Sequence, residues 1–84
     1  MASVELTPDA AREFDRLPRV IRARVDRLRK RLERWPGVSG AKALSGDLAG
    51  CYRLRTGDYR VLFRVEGERV IVEKIGHRRD VYED

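Results

Sequence analysis

The chain has 84 residues, of which 42% are apolar and 39% charged, and its net charge is +5. That length supports one small domain, residues 1–84, able to bury only ~60–65% of the surface its unfolded form exposes. The single cysteine excludes an internal disulfide and a thiolate metal site, and the lack of an apolar leader or a membrane-length apolar run leaves the cytoplasm as the expected compartment.

Residues 3–6, SVEL, alternate polar and apolar with Val4 and Leu6 on one side, as a short strand does. Thr7-Pro8-Asp9 opens a helix with a threonine cap, a proline at the first helical position and an acid near the positive helix end. Ala10, Phe14 and Leu17 form its apolar stripe, and Pro18 interrupts it. From Val20 onward, Ile21, Val25, Leu28, Leu32 and Trp35 share one face of a second helix that Pro36-Gly37 ends. Two helices parted by a proline fold back as a hairpin and lay their apolar stripes on a common sheet. On the second helix Asp26 and Glu33 offset Arg22, Lys30 and Arg29, whereas Arg24, Arg27, Arg31 and Arg34 have no carboxylate. That flank reads as a solvated surface or as a rail for RNA phosphates or an acidic partner.

Residues 37–50, GVSGAKALSGDLAG, carry no long period and read as a loop within the domain. Three strands follow at 51–55, 59–65 and 69–75, joined by tight turns at Gly57-Asp58 and Glu66-Gly67. The expected class is α+β: an N-terminal strand, a helical hairpin and an antiparallel three-stranded meander, together forming a four-stranded sheet.

Lysine occurs only at Lys30, Lys42 and Lys74, so the basic residues are nearly all arginine, whose planar fork of donors suits phosphate. Pairing the strands across those turns puts Tyr52, Leu54, Val61, Phe63, Val70 and Val72 on the face that meets the helices. The opposite face collects Cys51, Arg53, Arg55, Arg60, Leu62, Arg64, Ile71 and Glu73. In that register Arg60 stands opposite Glu73 and Arg64 opposite Arg69, a like-charge pair that an anion would relieve. Trp35 reads as a cap on the core, Tyr52 and Tyr59 as packing groups, and Cys51 as an incidental small residue.

The tail GHRRDVY continues the last strand, so His77, Arg78 and Tyr82 can return along the arginine face. Cleaving RNA takes a base for the 2′-hydroxyl proton, cations for the pentacoordinate phosphate and an acid for the leaving oxygen. This face and tail carry candidates for all three. With an unperturbed pKa of about 6.5, His77 suits proton transfer by chemistry alone, whereas tyrosine and arginine need strong electrostatic help.

The segment LAGCYRLRTGDYRVLFRVEGERVIVEKIGHRRDVY resembles the RelE/ParE superfamily of type II toxins. The shared pattern is Y-R-L-R-x-G-D-Y-R-V-x-(F/Y)-x-V followed by I-G-H-R-x-x-V-Y, and the preceding elements follow the family order β-α-α-β-β-β. The resemblance implies a RelE-like toxin domain held inactive by a cognate antitoxin, with operator DNA bound only through the antitoxin complex. In the RelE branch the toxin enters the ribosomal A site and cuts mRNA, whereas the ParE branch inhibits DNA gyrase; the basic tail ending in tyrosine favours the RelE branch.

Carried over by position, Arg60 would stabilise the phosphate in the transition state, and Arg78 would act there or protonate the leaving group. Tyr82 would orient or deprotonate the 2′-hydroxyl, and Arg53 stands where ribosome-dependent members often have lysine. Cys51 departs from the pattern, standing where another lysine is often found. With His77, these residues make the expected catalytic set, and Arg55, Arg64, Arg79, Arg24, Arg27 and Arg31 are the expected RNA contacts. The expected activity is that of a metal-independent, ribosome-dependent mRNA endoribonuclease that inhibits translation, with no cofactor and no membrane partner. A ParE-type gyrase inhibitor and an inactive antitoxin-binding member are the alternatives.

Overall fold

A computed structural model describes residues 2–81. β1 (Ser3–Leu6) leads into α1 (Pro8–Asp15) and α2 (Arg19–Leu32), followed by β2 (Lys42–Ala43) and a 3₁₀ turn (Gly46–Leu48). β3 (Cys51–Thr56), β4 (Tyr59–Glu66) and β5 (Arg69–His77) are the remaining elements among the described residues. The strands form one open sheet in the order β1-β5-β4-β3-β2, with β1 parallel to β5 and the other neighbours antiparallel. The class is α+β as expected, but the sheet has five strands and not four. The additional strand, Lys42–Ala43, lies in the stretch read as a loop and is too short for a period to reveal it.

Local chemistry explains the helices. The Thr7 Oγ1 accepts a hydrogen bond from the Ala10 N–H at 3.1 Å, and Pro8 follows it where no amide is needed. α2 buries Val25, Leu28 and Leu32, and Arg29, Lys30 and Arg31 crowd its negative end. The helix ends at Leu32, and the chain continues through tight turns, with the Trp35 N–H donating to the Leu32 carbonyl at 3.0 Å. Trp35 closes the core edge-on to Tyr52 and Phe63, at centroid distances of 4.8 and 5.3 Å. Both helices cover one sheet face, where Ala10, Leu17, Val25, Leu28 and Leu32 meet Leu54, Val61, Phe63, Val70, Val72 and Ile75. Among the described residues, no helix is long and apolar enough to cross a membrane.

The strand register differs from expectation in two places. The first hairpin turns at Gly57-Asp58 as expected, pairing Thr56 with Tyr59, but the second turns at Gly67-Glu68, pairing Glu66 with Arg69. Gly57 and Gly67 have φ of 58° and 62°, so in both turns glycine takes the first central position, where the backbone must enter the left-handed region. Moving a turn by one residue moves the pairing by two, which preserves the faces and changes the partners. The second difference is a bulge. Phe63 pairs with Val72 but Leu62 pairs with Lys74, leaving Glu73 as the extra residue. Arg64 therefore stands opposite Ile71 and Arg60 opposite Gly76, and the expected Arg64–Arg69 and Arg60–Glu73 pairs do not form.

Candidate functional site

On β3 and β4, side chains alternate between the helix-facing core and the outer face of the sheet. Leu54 and Val61 point to the core, so Arg53, Arg55 and Arg60 lie on the other side. Arg55 is directly opposite Arg60, and Lys42 of β2 is directly opposite Arg53. Four cations thus share one end of the outer face. Arg53 and Arg60 are only 9% and 7% exposed, whereas Lys42 and Arg55 are exposed. The Arg60 Nη1 donates to the Gly57 carbonyl at 3.0 Å, which fixes its fork at the hairpin tip. Lys42 is the residue that sequence reasoning missed. A two-residue strand with both side chains exposed leaves no alternation in the sequence, so only its pairing with β3 places Lys42 beside Arg53.

The opposite end of the same face is neutralised. Arg64 donates to the Glu73 carboxylate at 3.3 Å and pairs with Glu66. Arg69 donates to Glu5 at 2.8 and 3.0 Å and to Glu66 at 3.3 Å. Hydrogen bonds from Arg69 hold the Glu5 carboxyl below its ordinary range, the charges of Arg69 and Arg64 add to this, and desolvation opposes it. Glu5 in turn raises the pKa of Arg69. The structure therefore places Arg64 in an ion-pair ladder, apart from the cations of β2, β3 and the start of β4.

Beyond His77 the chain turns back over the outer face. The Arg78 N–H donates to the Asp58 carbonyl at 2.7 Å, and its Nε lies 3.8 Å from the Asp58 carboxylate. Arg78 is thus anchored at the turn whose Gly57 carbonyl receives Arg60. From α2, Arg24 reaches the same turn: a Cβ built at Gly57 would lie 3.9 Å from its Nη1. Arg27 and Arg31 continue along the exposed helix flank, with Arg31 donating to the Ser39 carbonyl at 2.6 Å. On the other flank Asp26 pairs with Arg29 and Lys30, and hydrogen bonding from Arg29 lowers its pKa.

His77 does not lie on the outer face with Arg53, Arg55 and Arg60, although it approaches the same Asp58 as Arg78. The bulge at Glu73 reverses the alternation beyond it, so Ile75 and His77 face the helix side and Gly76 faces outward. His77 pairs with Tyr59, and its ring meets the Tyr59 ring edge-on at 5.3 Å. Its Nδ1 accepts from the Arg79 N–H at 3.1 Å, so the neutral imidazole carries its proton on Nε2, which lies 4.0 Å from the Asp58 carboxylate. Arg79 itself is exposed. Val81 has returned to the outer face, where it forms a small apolar cluster with Leu44 and Leu62, flanked by Leu48 and Cys51. Tyr82, the remaining candidate, lies outside the described residues.

The resulting arrangement concentrates positive charge at one end of the sheet and on the adjoining turn, with two guanidiniums sheltered from solvent. Such a site attracts a polyanion and can offset charge that develops on a phosphate.

Comparison with known proteins agrees with this architecture. The family model described as the ParE toxin of the type II toxin–antitoxin system parDE matches residues 4–82. Toxin RelG of Mycobacterium tuberculosis (strain ATCC 25618 / H37Rv) is 36% identical over 83 residues, covering 95% of this chain and 94% of RelG. The toxin–antitoxin complex RelBE2 from Mycobacterium tuberculosis aligns with a TM-score of 0.80 at 29% identity, covering 92% of this chain and 98% of that one. The isolated E. coli RelE toxin shares the fold with a TM-score of 0.77 at 18% identity, covering 92% of this chain and 84% of that one.

Proposed function

Because the chain belongs to the ParE toxin family, within the RelE/ParE superfamily of type II toxins, we propose that it cuts mRNA on the ribosome and so inhibits translation. The observation that carries this reading is the gathering of Arg53, Arg55 and Arg60 on one sheet face with Arg78 on the adjoining turn. In the reaction the ribose 2′-oxygen attacks the neighbouring phosphorus and the bond to the 5′-oxygen breaks, leaving a 2′,3′-cyclic phosphate. The 2′-hydroxyl proton passes to a base, and the departing 5′-oxygen gains a proton.

Arg60, held by the Gly57 carbonyl, would face the oxygens on which charge accumulates. A guanidinium sheltered from water is less screened and needs little reorganisation, which makes it an effective stabiliser of that charge. Arg78 would act beside it or protonate the leaving oxygen, and Tyr82 would orient or deprotonate the 2′-hydroxyl. Arg53, Arg55 and Lys42 would supply further positive charge, and Arg24, Arg27 and Arg31 would guide RNA along α2. In this reading His77 shapes the tail turn and does not transfer the proton. The cognate antitoxin is the expected partner, as in the RelBE2 complex, with operator DNA bound only through that toxin–antitoxin complex and the cytoplasm as the place of action.

The test is addition of the purified protein to a translation extract, with primer extension on the mRNA. Cuts positioned by codon, and absent when ribosomes are removed, are expected. Intact mRNA at a dose that arrests growth would overturn the reading. The match to a ParE model supports a second reading, a gyrase inhibitor using the same fold as a binding module. Trapped gyrase–DNA cleavage complexes with intact mRNA would establish it.

A further inference from the structure

β1 pairs with β5 only as far as Leu6 and Val72, because Thr7 and Pro8 then turn the chain into α1. Beyond that point β5 has β4 on one side but has lost its strand partner on the other, and it does so where the Glu73 bulge disturbs the ladder. A backbone edge left this way needs substitute partners. The first turns of the chain supply them. The Thr7 N–H donates to the Val72 carbonyl at 3.0 Å, and the Thr7 hydroxyl donates to the Glu73 carbonyl at 3.4 Å. Glu13, six residues further on in α1, accepts from the Ile75 N–H at 2.9 Å through one carboxylate oxygen and from the Lys74 ammonium at 3.3 Å through the other.

What Glu13 holds is the strand end that carries the tail into the candidate site. Ile75 is buried, Gly76 pairs with Arg60, His77 pairs with Tyr59, and the Arg78 N–H then reaches the Asp58 carbonyl. A slip of β5 beyond the bulge would move Arg78 away from the turn that fixes Arg60. We infer that Glu13 is a positioning residue, locking the register of Ile75–Arg78 and so setting Arg78 beside Arg60. The catalytic half of this inference rests on the nuclease reading above, whereas the register half stands on the hydrogen bonds alone.

Amide hydrogen exchange on the full chain, joined to single-turnover RNA cleavage, tests it. In Glu13→Ala, exchange at Ile75 and Arg78 should rise about tenfold or more while Val70 and Val72 stay protected. The cleavage rate constant should fall about tenfold with KM unchanged, since a displaced catalytic group costs rate more than binding. Glu13→Gln keeps an oxygen for the Ile75 amide and should stay near the parent in both measurements. Lys74→Met, which removes the ion pair alone, should do the same. Unchanged exchange at Ile75 and Arg78 in Glu13→Ala overturns the proposal, and so does a uniform rise that includes Val70 and Val72. If Glu13→Ala fails to fold, Glu13→Asp, whose shorter side chain withdraws the carboxylate from the Ile75 amide, decides: raised exchange at Ile75 and Arg78 with Val70 and Val72 still protected supports the register lock, and parent-like exchange overturns it. A parent protein that leaves RNA intact would sink the nuclease reading, and the exchange data would still judge the register.

Discussion

Arg60 and Arg55 stand directly opposite each other on the outer face, but one is 7% exposed and the other is exposed to solvent. That contrast fixes the sizes of two mutational effects. The Arg60 fork is fixed by its hydrogen bond to the Gly57 carbonyl at 3.0 Å, so in the proposed nuclease reaction it would meet the transition state without reorganising. Loss of one preorganised donor lowers kcat by ~10²–10³-fold, or about 2.7–4 kcal/mol. A charge at Arg55 acts through solvent, where a contact at ~4 Å is worth ~1 kcal/mol, so Arg55→Ala should slow cleavage only about fivefold. Arg60→Lys keeps the charge but loses the two-pronged donor geometry, and should fall between the two.

The assay is single-turnover cleavage of a programmed ribosome complex, read by primer extension, with thermal unfolding of each variant measured alongside. The unfolding control matters because Arg60→Ala also deletes a side-chain bond to the backbone, worth about 1 kcal/mol of stability. Cleavage by Arg60→Ala within threefold of the parent would refute the reasoning. So would equal losses in Arg55→Ala and Arg60→Ala at equal stability, because burial would then have no bearing on the effect.

Gly76→Ala should destabilise the chain by about 1–3 kcal/mol in urea unfolding, because the new Cβ would stand 3.0 Å from Cγ2 of the buried Val81, which would have to give way within its packed cluster. Leu62→Ala, at a side chain 4% exposed between Leu44 and Val81, should cost about 2–5 kcal/mol by the same measurement. Glu5 has a folded pKa below its unfolded value, so the stability it contributes is complete above about pH 4.3 and is lost as pH falls through the folded value. The unfolding midpoints of the parent and Glu5→Gln should therefore converge on acidification, and a gap that stays constant across that window would count against the Glu5–Arg69 pair. Lys42→Ala should reduce the slope of log affinity against log salt for single-stranded RNA by about 0.7, one phosphate contact's share, and an unchanged slope would remove Lys42 from the site.

Much of the architecture was legible because it is written in local periods. Strand alternation named the core face correctly even though the second turn was misplaced, since a two-residue shift in pairing returns every side chain to the same side. Thr7-Pro8 located the start of α1 by cap chemistry that needs no distant partner. The arginine face was legible at Arg53, Arg55 and Arg60 for the same reason. What tertiary structure alone decided is where the pairing departs from regularity. The Glu73 bulge turned His77 to the helix side and Gly76 outward, strand pairing set Lys42 opposite Arg53, and a side-chain hydrogen bond gave Arg64 to Glu73. Ile75 depends on a carboxylate 62 positions earlier in the chain. A period reports how side chains alternate along one segment, but a bulge, an edge and a borrowed hydrogen bond exist only between segments, so the folded contacts had to supply them.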